Sequence, residues 1–145
     1  MNLFYIIALA AFLPIAAAAQ TTEPALSVAA SEVTLADLIW QKRALVVFAD
    51  SPNDPNFIRQ MQLLARNFSD LTDRDVLVIT DTDPTAKTAI RQQLRPRGFS
   101  LVLMDKDGKT AIRKPLPWDV REISHAIDKF PLRLQEVQDR DQTAR

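Results

Sequence analysis

The residues best placed to do chemistry fall in one short turn. Asp50, Ser51, Asn53 and Asp54 follow directly on the apolar run Leu45-Val46-Val47-Phe48-Ala49. In open α/β sheets, ligands bind outside the carboxyl ends of the strands, where this turn must lie. Ser51 is the only hydroxyl in it and would need a general base to act as a nucleophile. The sole histidine of the chain is His125. On a helical projection His125 lies opposite the apolar face formed by Val120, Ile123, Ile127 and Phe130, which directs it to solvent. An anion at the following helix start would meet the charge of Asp54, which is itself placed to cap that helix. Turn and cap chemistry thus accounts for the composition, and no catalytic residue is assigned. What the turn offers is a binding surface: Asp50, Ser51, Asn53 and Asp54, with Arg97 as a basic neighbour.

Other constellations are weaker. Asp73, Asp81 and Asp83 are carboxylates near a second apolar run, but their positions read as a turn and the flanks of a helix start. Asp105-Lys106-Asp107-Gly108 resembles the opening of a calcium loop, yet position twelve would be Leu116, where a bidentate Glu is required. The chain has no cysteine and one histidine, so thiolate and multi-histidine metal sites are excluded. Two glycines rule out a Gly-rich phosphate loop. Lys42, Arg43, Arg95 and Arg97 are candidates for a basic rim at one sheet end. No metal and no cofactor is expected.

The elements that position these residues can be read in order. Thr34 caps a short helix ending near residues 40–42, with Val33 stapling onto Leu38 and Asp37 in the positive first turn. Leu45 to Ala49 is a strand buried on both faces. Asp54-Pro55 opens a helix carrying Phe57, Ile58, Met61, Leu64, Ala65 and Phe68 on one face. Val76 to Thr80 is a second buried strand. Asp83-Pro84 starts another helix, which stops by Arg95 because Pro96 disfavours a helical residue before it. Ser100 to Met104 and Thr110 to Arg113 form a hairpin around Asp105–Lys109, where Gly108 is free to take positive φ. A last helix spans 118–130, and Pro131 closes or bends it. Trp40 and Trp118 read as amphipathic packers. A βαβ unit followed by a hairpin and a helix predicts an α/β, thioredoxin-like fold: a central mixed sheet of about four strands with helices on both faces. A flavodoxin-like sheet is the alternative, but 105–109 is too short for a crossover.

With 145 residues, 47% hydrophobic, and 18 basic against 18 acidic side chains, the chain suits one globular domain. The zero formal net charge offers no whole-molecule field for nucleic acid or an anionic membrane. Residues 1–19 read as a signal peptide ending in Ala17-Ala18-Ala19. Residues 20–32 read as a flexible lead-in, 33–137 as the domain, and 138–145 as a frayed, charged tail. The expected location is periplasmic or secreted, with membrane contact only through the leader before its cleavage.

Three stretches carry a family resemblance: Trp40 to Ala49, Leu103 to Lys109, and above all Ile127-Asp128-Lys129-Phe130-Pro131-Leu132-Arg133-Leu134-Gln135-Glu136. Together they resemble the DUF4174 family over about 35–136. The family usually ends in Ile-Asp-x-Met-Pro-Met-Arg-x-x-Glu, and here Phe130 and Leu132 replace the methionines. Asp105 and Lys109 depart from its usual Gly-Lys-Asp-Gly-Gly hairpin. The resemblance implies a small exported bacterial protein with a thioredoxin-like domain. Related domains are those of animal sushi-repeat-containing and coiled-coil-domain-containing 80 proteins. It carries no catalytic residues. Physically, Leu132 and Leu134 are expected to tuck onto the core, and Arg133 to pair with Glu136 at i, i+3.

The functional expectation is a non-enzymatic module that binds another envelope or extracellular protein. The alternative is a small-molecule-binding or hydrolytic enzyme using the Asp50–Asp54 turn. Thiol oxidoreduction and peroxidase chemistry are excluded for this chain alone, because the nucleophile is absent.

Overall fold

Three apolar runs lie side by side and form the floor of the molecule in a computed structural model that describes residues 25–145. They are β2 (Arg43–Phe48), β3 (Val76–Asp81) and β4 (Ser100–Met104). β2 pairs parallel with β3, Val46 opposite Ile79, and antiparallel with β4, Val46 opposite Val102. Every residue of β2 and β4 is buried, as expected for strands covered on both faces. β5 (Thr110–Lys114) returns antiparallel to β4 as an edge.

The sheet has five strands, ordered β1-β3-β2-β4-β5, where the sequence predicts about four. The additional strand is β1 (Val28–Ala29), which pairs parallel with Ile79 and Thr80 of β3. A two-residue strand has no periodicity of its own, so only its partner defines it. It lies in the expected lead-in, which also contains a buried Ala30 in a 3-10 turn. Residues 1–19 and the start of that lead-in fall outside the described residues.

Alternation along the strands sends side chains to two cores. On one face Leu45, Val47, Val78, Leu101 and Leu103 meet α2 (Pro55–Arg66), α3 (Phe68–Thr72) and α5 (Val120–Ile127). On the other, Val46, Phe48, Ile79 and Val102 meet α1 (Leu35–Leu38) and α4 (Ala89–Leu94). Gln60 is the polar member buried on α2. It donates to Trp118 O at 2.9 Å and accepts from Trp118 N at 2.7 Å, joining α2 to the segment before α5. Satisfying both ends of the amide is what permits its burial.

The caps at Asp54 and Asp83 are present, accepting from Asn56 N at 2.8 Å and Thr85 N at 3.0 Å. Asp83 opens only a 3-10 turn, and α4 starts afresh at the Thr88 cap. Thr34 makes no side-chain cap bond, and α1 has four residues. Trp40 is 63% exposed and adopts φ +64°, so it is not the packer expected. That strained conformation is held by its N–H donating to Lys106 O at 2.7 Å.

The C-terminus differs most from expectation. Pro131 begins α6 (Pro131–Thr143) rather than ending α5, so the segment expected to fray from 138 is helical to Thr143. Proline suits the first helical position as well as it stops a helix, because its missing N–H needs no partner there. Leu134 is 51% exposed; the buried residue between Pro131 and Glu136 is Arg133.

Candidate functional site

The strands place two polar regions at opposite ends of the sheet. Where β2 starts, Arg43 is fully buried. Its Nε donates to Asp105 at 2.9 Å and Nη2 to Glu136 at 3.0 Å. Nη1 donates to Arg74 O at 2.9 Å. Lys106 bridges Asp75 and Glu136, each at 2.8 Å. Arg74 holds Asp128 by a two-pronged contact of 2.8 Å on each arm, and Arg133 lies 3.4 Å from Glu136. Such burial of a guanidinium is tolerable only when its N–H groups are met by carboxylates or carbonyls. Burial pushes the Glu136 carboxyl up, but the hydrogen bonds and charges of Lys106 and Arg43 outweigh this and hold it at about 2. Asp128 is lowered by its hydrogen bond from Arg74, and Asp75 by that from Lys106.

This network gives the charged residues of the C-terminal motif a structural role. Asp128, Arg133 and Glu136 tie α5 and α6 to the β4–β5 hairpin and to the first residue of β2. The expected Arg133–Glu136 pair is present, but Arg43 is buried at the opposite end of β2 from Arg95 and Arg97, so Lys42, Arg43, Arg95 and Arg97 form no common basic rim. A cation opening an otherwise apolar strand was the available signal. Gly108, at φ +80°, closes the hairpin turn and lies where a Cβ would come within 3.3 Å of the Ile39 side chain.

The other end holds the candidate binding residues. Asp50 is exposed just beyond β2. Ser51 Oγ accepts from Asn53 N at 3.1 Å, and Asp54 caps α2. The hydroxyl and the cap carboxylate are thus engaged inside their own turn. His125 is exposed on α5, lining a separate depression with Asp119, Arg121 and Glu122. No described hydrogen bond brings it to Ser51.

Beside the turn, Asp81 is a buried strand residue, 5% exposed, and not the helix flank expected. Its carboxylate accepts from Arg91 Nη2 at 2.8 Å and from Thr88 Oγ1 at 2.5 Å. Arg91 also donates to Ala49 O at 2.9 Å and sits 5.4 Å from the Phe48 ring centroid. Burial raises the Asp81 carboxyl, but the Arg91 and Thr88 hydrogen bonds reverse this and leave it below the usual range. Arg91 was not singled out from sequence, since nothing local marks it as the partner of a strand-end aspartate.

Arg97 shares no described hydrogen bond or ion pair with the turn. It lines an open cleft of about 540 Å³ with Arg95 and Arg113, between the end of α4 and the far end of β5. None of Asp50, Ser51, Asn53 and Asp54 lines that cleft. Asp73 is exposed in the turn after α3. No group of three or more histidine, aspartate or glutamate side chains suited to a metal occurs among the described residues. No described helix is long and apolar enough to cross a membrane.

Solved structures share this architecture. The reduced 2-Cys peroxiredoxin of Plasmodium vivax is similar at 15% identity and a TM-score of 0.55, covering 76% of this chain and 85% of that one. Prx1a of Plasmodium yoelii gives 18% and 0.53, covering 74% and 81%. Reduced desulfothioredoxin from Desulfovibrio vulgaris Hildenborough gives 18% and 0.52, covering 71% and 97%. At these identities the likeness establishes the thioredoxin fold and nothing of the chemistry. No curated protein matches the chain significantly. The model of the domain of unknown function DUF4174 matches residues 34–136, and the chain therefore belongs to the DUF4174 family.

Proposed function

We propose that this protein is an exported, non-enzymatic thioredoxin-fold module that binds another envelope or extracellular protein through the surface around Asp50, Ser51, Asn53 and Asp54. The observation that carries the reading is a thioredoxin fold in a chain without cysteine, whose turn after the central strand holds Asp50-Ser51-Pro52-Asn53-Asp54 instead. That turn projects from a rigid frame, since Arg91 ties the end of β2 to Asp81 at the end of β3. Rigid presentation lowers the ordering cost of association. Export is supported by the composition of residues 1–19 and by the small residues before Gln20.

The full chain, carrying a C-terminal tag and expressed in its own cells, tests both halves. The mature protein is expected in the envelope or medium with an N-terminus at Gln20; an intact Met1 in the cytoplasmic fraction would overturn export. Crosslinked partners are expected to be lost when Asp50, Ser51 and Asn53 are changed together to Ala, a variant that spares the Asp54 cap. Partner capture unchanged by that triple variant would remove the turn from the interface.

A further inference from the structure

The cleft between α4 and β5 is built differently from the charge network at the start of β2. Its walls contain Arg95, Arg97 and Arg113, and no carboxylate lines it. No described ion pair involves any of these arginines, whereas Arg43, Arg74, Arg91 and Arg133 each have an acidic partner. In a chain of zero net charge, this is a local excess of like charge. Arg113 donates to Leu94 O at 2.7 Å, which fixes its guanidinium against the end of α4. Arg97 makes no side-chain hydrogen bond among the described residues. Leu94, Phe99 and Pro115 supply apolar wall, and Ser100 supplies a hydroxyl. The register puts Ser100 opposite Phe48 at the end of β2, so the cleft opens at the ligand-binding end of the sheet.

We propose that this cleft binds a small organic carboxylate carrying an apolar body. Guanidinium groups match a carboxylate in charge and fork geometry. An anion among them also relieves the repulsion between neighbouring positive charges. Leu94, Phe99 and Pro115 have no use for an inorganic anion and suit an aromatic or branched aliphatic group. The volume falls in the range of about 300–1,000 Å³ usual for small-molecule sites. The proposal is independent of protein binding through the Asp50–Asp54 turn, since no residue of that turn lines the cleft.

Calorimetric titration of the full chain with phenylacetate, its neutral isostere phenylacetamide, and inorganic phosphate tests it. Phenylacetate is expected to bind with a Kd below about 1 mM. Phenylacetamide and phosphate should each bind at least about tenfold more weakly. Arg97→Gln should weaken phenylacetate about tenfold while leaving the unfolding midpoint unchanged. Arg113→Gln should weaken it too, but Arg97→Gln is decisive because that side chain holds no structural hydrogen bond. No phenylacetate binding, equal binding of the amide, tighter binding of phosphate, or unchanged affinity in Arg97→Gln would each overturn the proposal. Alanine substitution at Asp50, Ser51 and Asn53 should leave the titration unaltered, which separates this site from the protein-binding one.

Discussion

Where β2 begins, Arg43, Arg74, Lys106 and Arg133 all have carboxylate partners. Where β2 ends, Arg91 has Asp81, while Arg95, Arg97 and Arg113 line a cleft without one. The first region closes its charges on one another and leaves Arg43 no exposure. It joins four parts of the chain that are distant in sequence: the start of β2, the turn before β3, the β4–β5 hairpin and α6. The second leaves guanidinium groups available to solvent and ligand. Apart from Arg133 Nε, which lacks a hydrogen-bond partner and lies 3.6 Å from Asp128, the first network is closed on itself and specifies geometry, whereas a cluster without counter-charges is free to recognise something. Asp128, Arg133 and Glu136 of the C-terminal motif therefore serve the fold, and the proposed ligand site lies at the other end.

The strongest way to break this contrast is Arg43→Met. It leaves Asp105 and Glu136 without their buried cation and should cost about 3–5 kcal/mol in denaturant unfolding. A loss below about 1 kcal/mol would mean that the network at the start of β2 is no lock.

Acid comes next. Glu136 is held at about 2 against an ordinary 4.5. A carboxyl lowered on folding stabilises the native state above its unfolded pKa, and that contribution is lost as pH falls through the folded value. The window for Glu136 thus runs from pH 4.5 down to about 2. Glu136→Gln should cost on the order of 2–3 kcal/mol at pH 7. The gap from wild type should narrow steadily in urea titrations taken down through this window. A gap independent of pH would assign the loss to packing instead.

Smaller effects belong to the other end. Asp54→Ala removes the cap of α2 and should cost about 1 kcal/mol, with the midpoint shift alone as readout. Arg97→Gln should change stability by less than about 0.5 kcal/mol, because its guanidinium contacts no described acceptor. A larger loss would show that the cleft arginines are structural after all, and would erase the distinction between the two ends.

How far the sequence is legible depends on how local each signal is. Leu45 to Ala49, Val76 to Thr80 and Ser100 to Met104 identify themselves because a fully buried strand is a continuous apolar run. Asp54-Pro55 marks its helix because a cap acts on N–H groups two residues away. Val28–Ala29 had no such signal, since its strand character comes only from Ile79 and Thr80. Pro131 is ambiguous locally: proline can end one helix or begin the next. Within the candidate site, Asp50, Ser51, Asn53 and Asp54 were readable as a turn at a strand end. Arg95 and Arg97 were readable together as part of a basic rim, but Arg113 beside them was not, because β5 and the end of α4 meet only in the folded sheet.

By itself, then, the sequence determined the order of helices and strands in the domain, the absence of cysteine and the cap at Asp54. Each rests on composition or on contacts within a few residues. Tertiary structure decided which charges are spent on the fold and which remain free. Arg43 and Arg97 are the same residue type beside similar strands, and only packing around each, with Glu136 arriving at one and no carboxylate at the other, sets their difference.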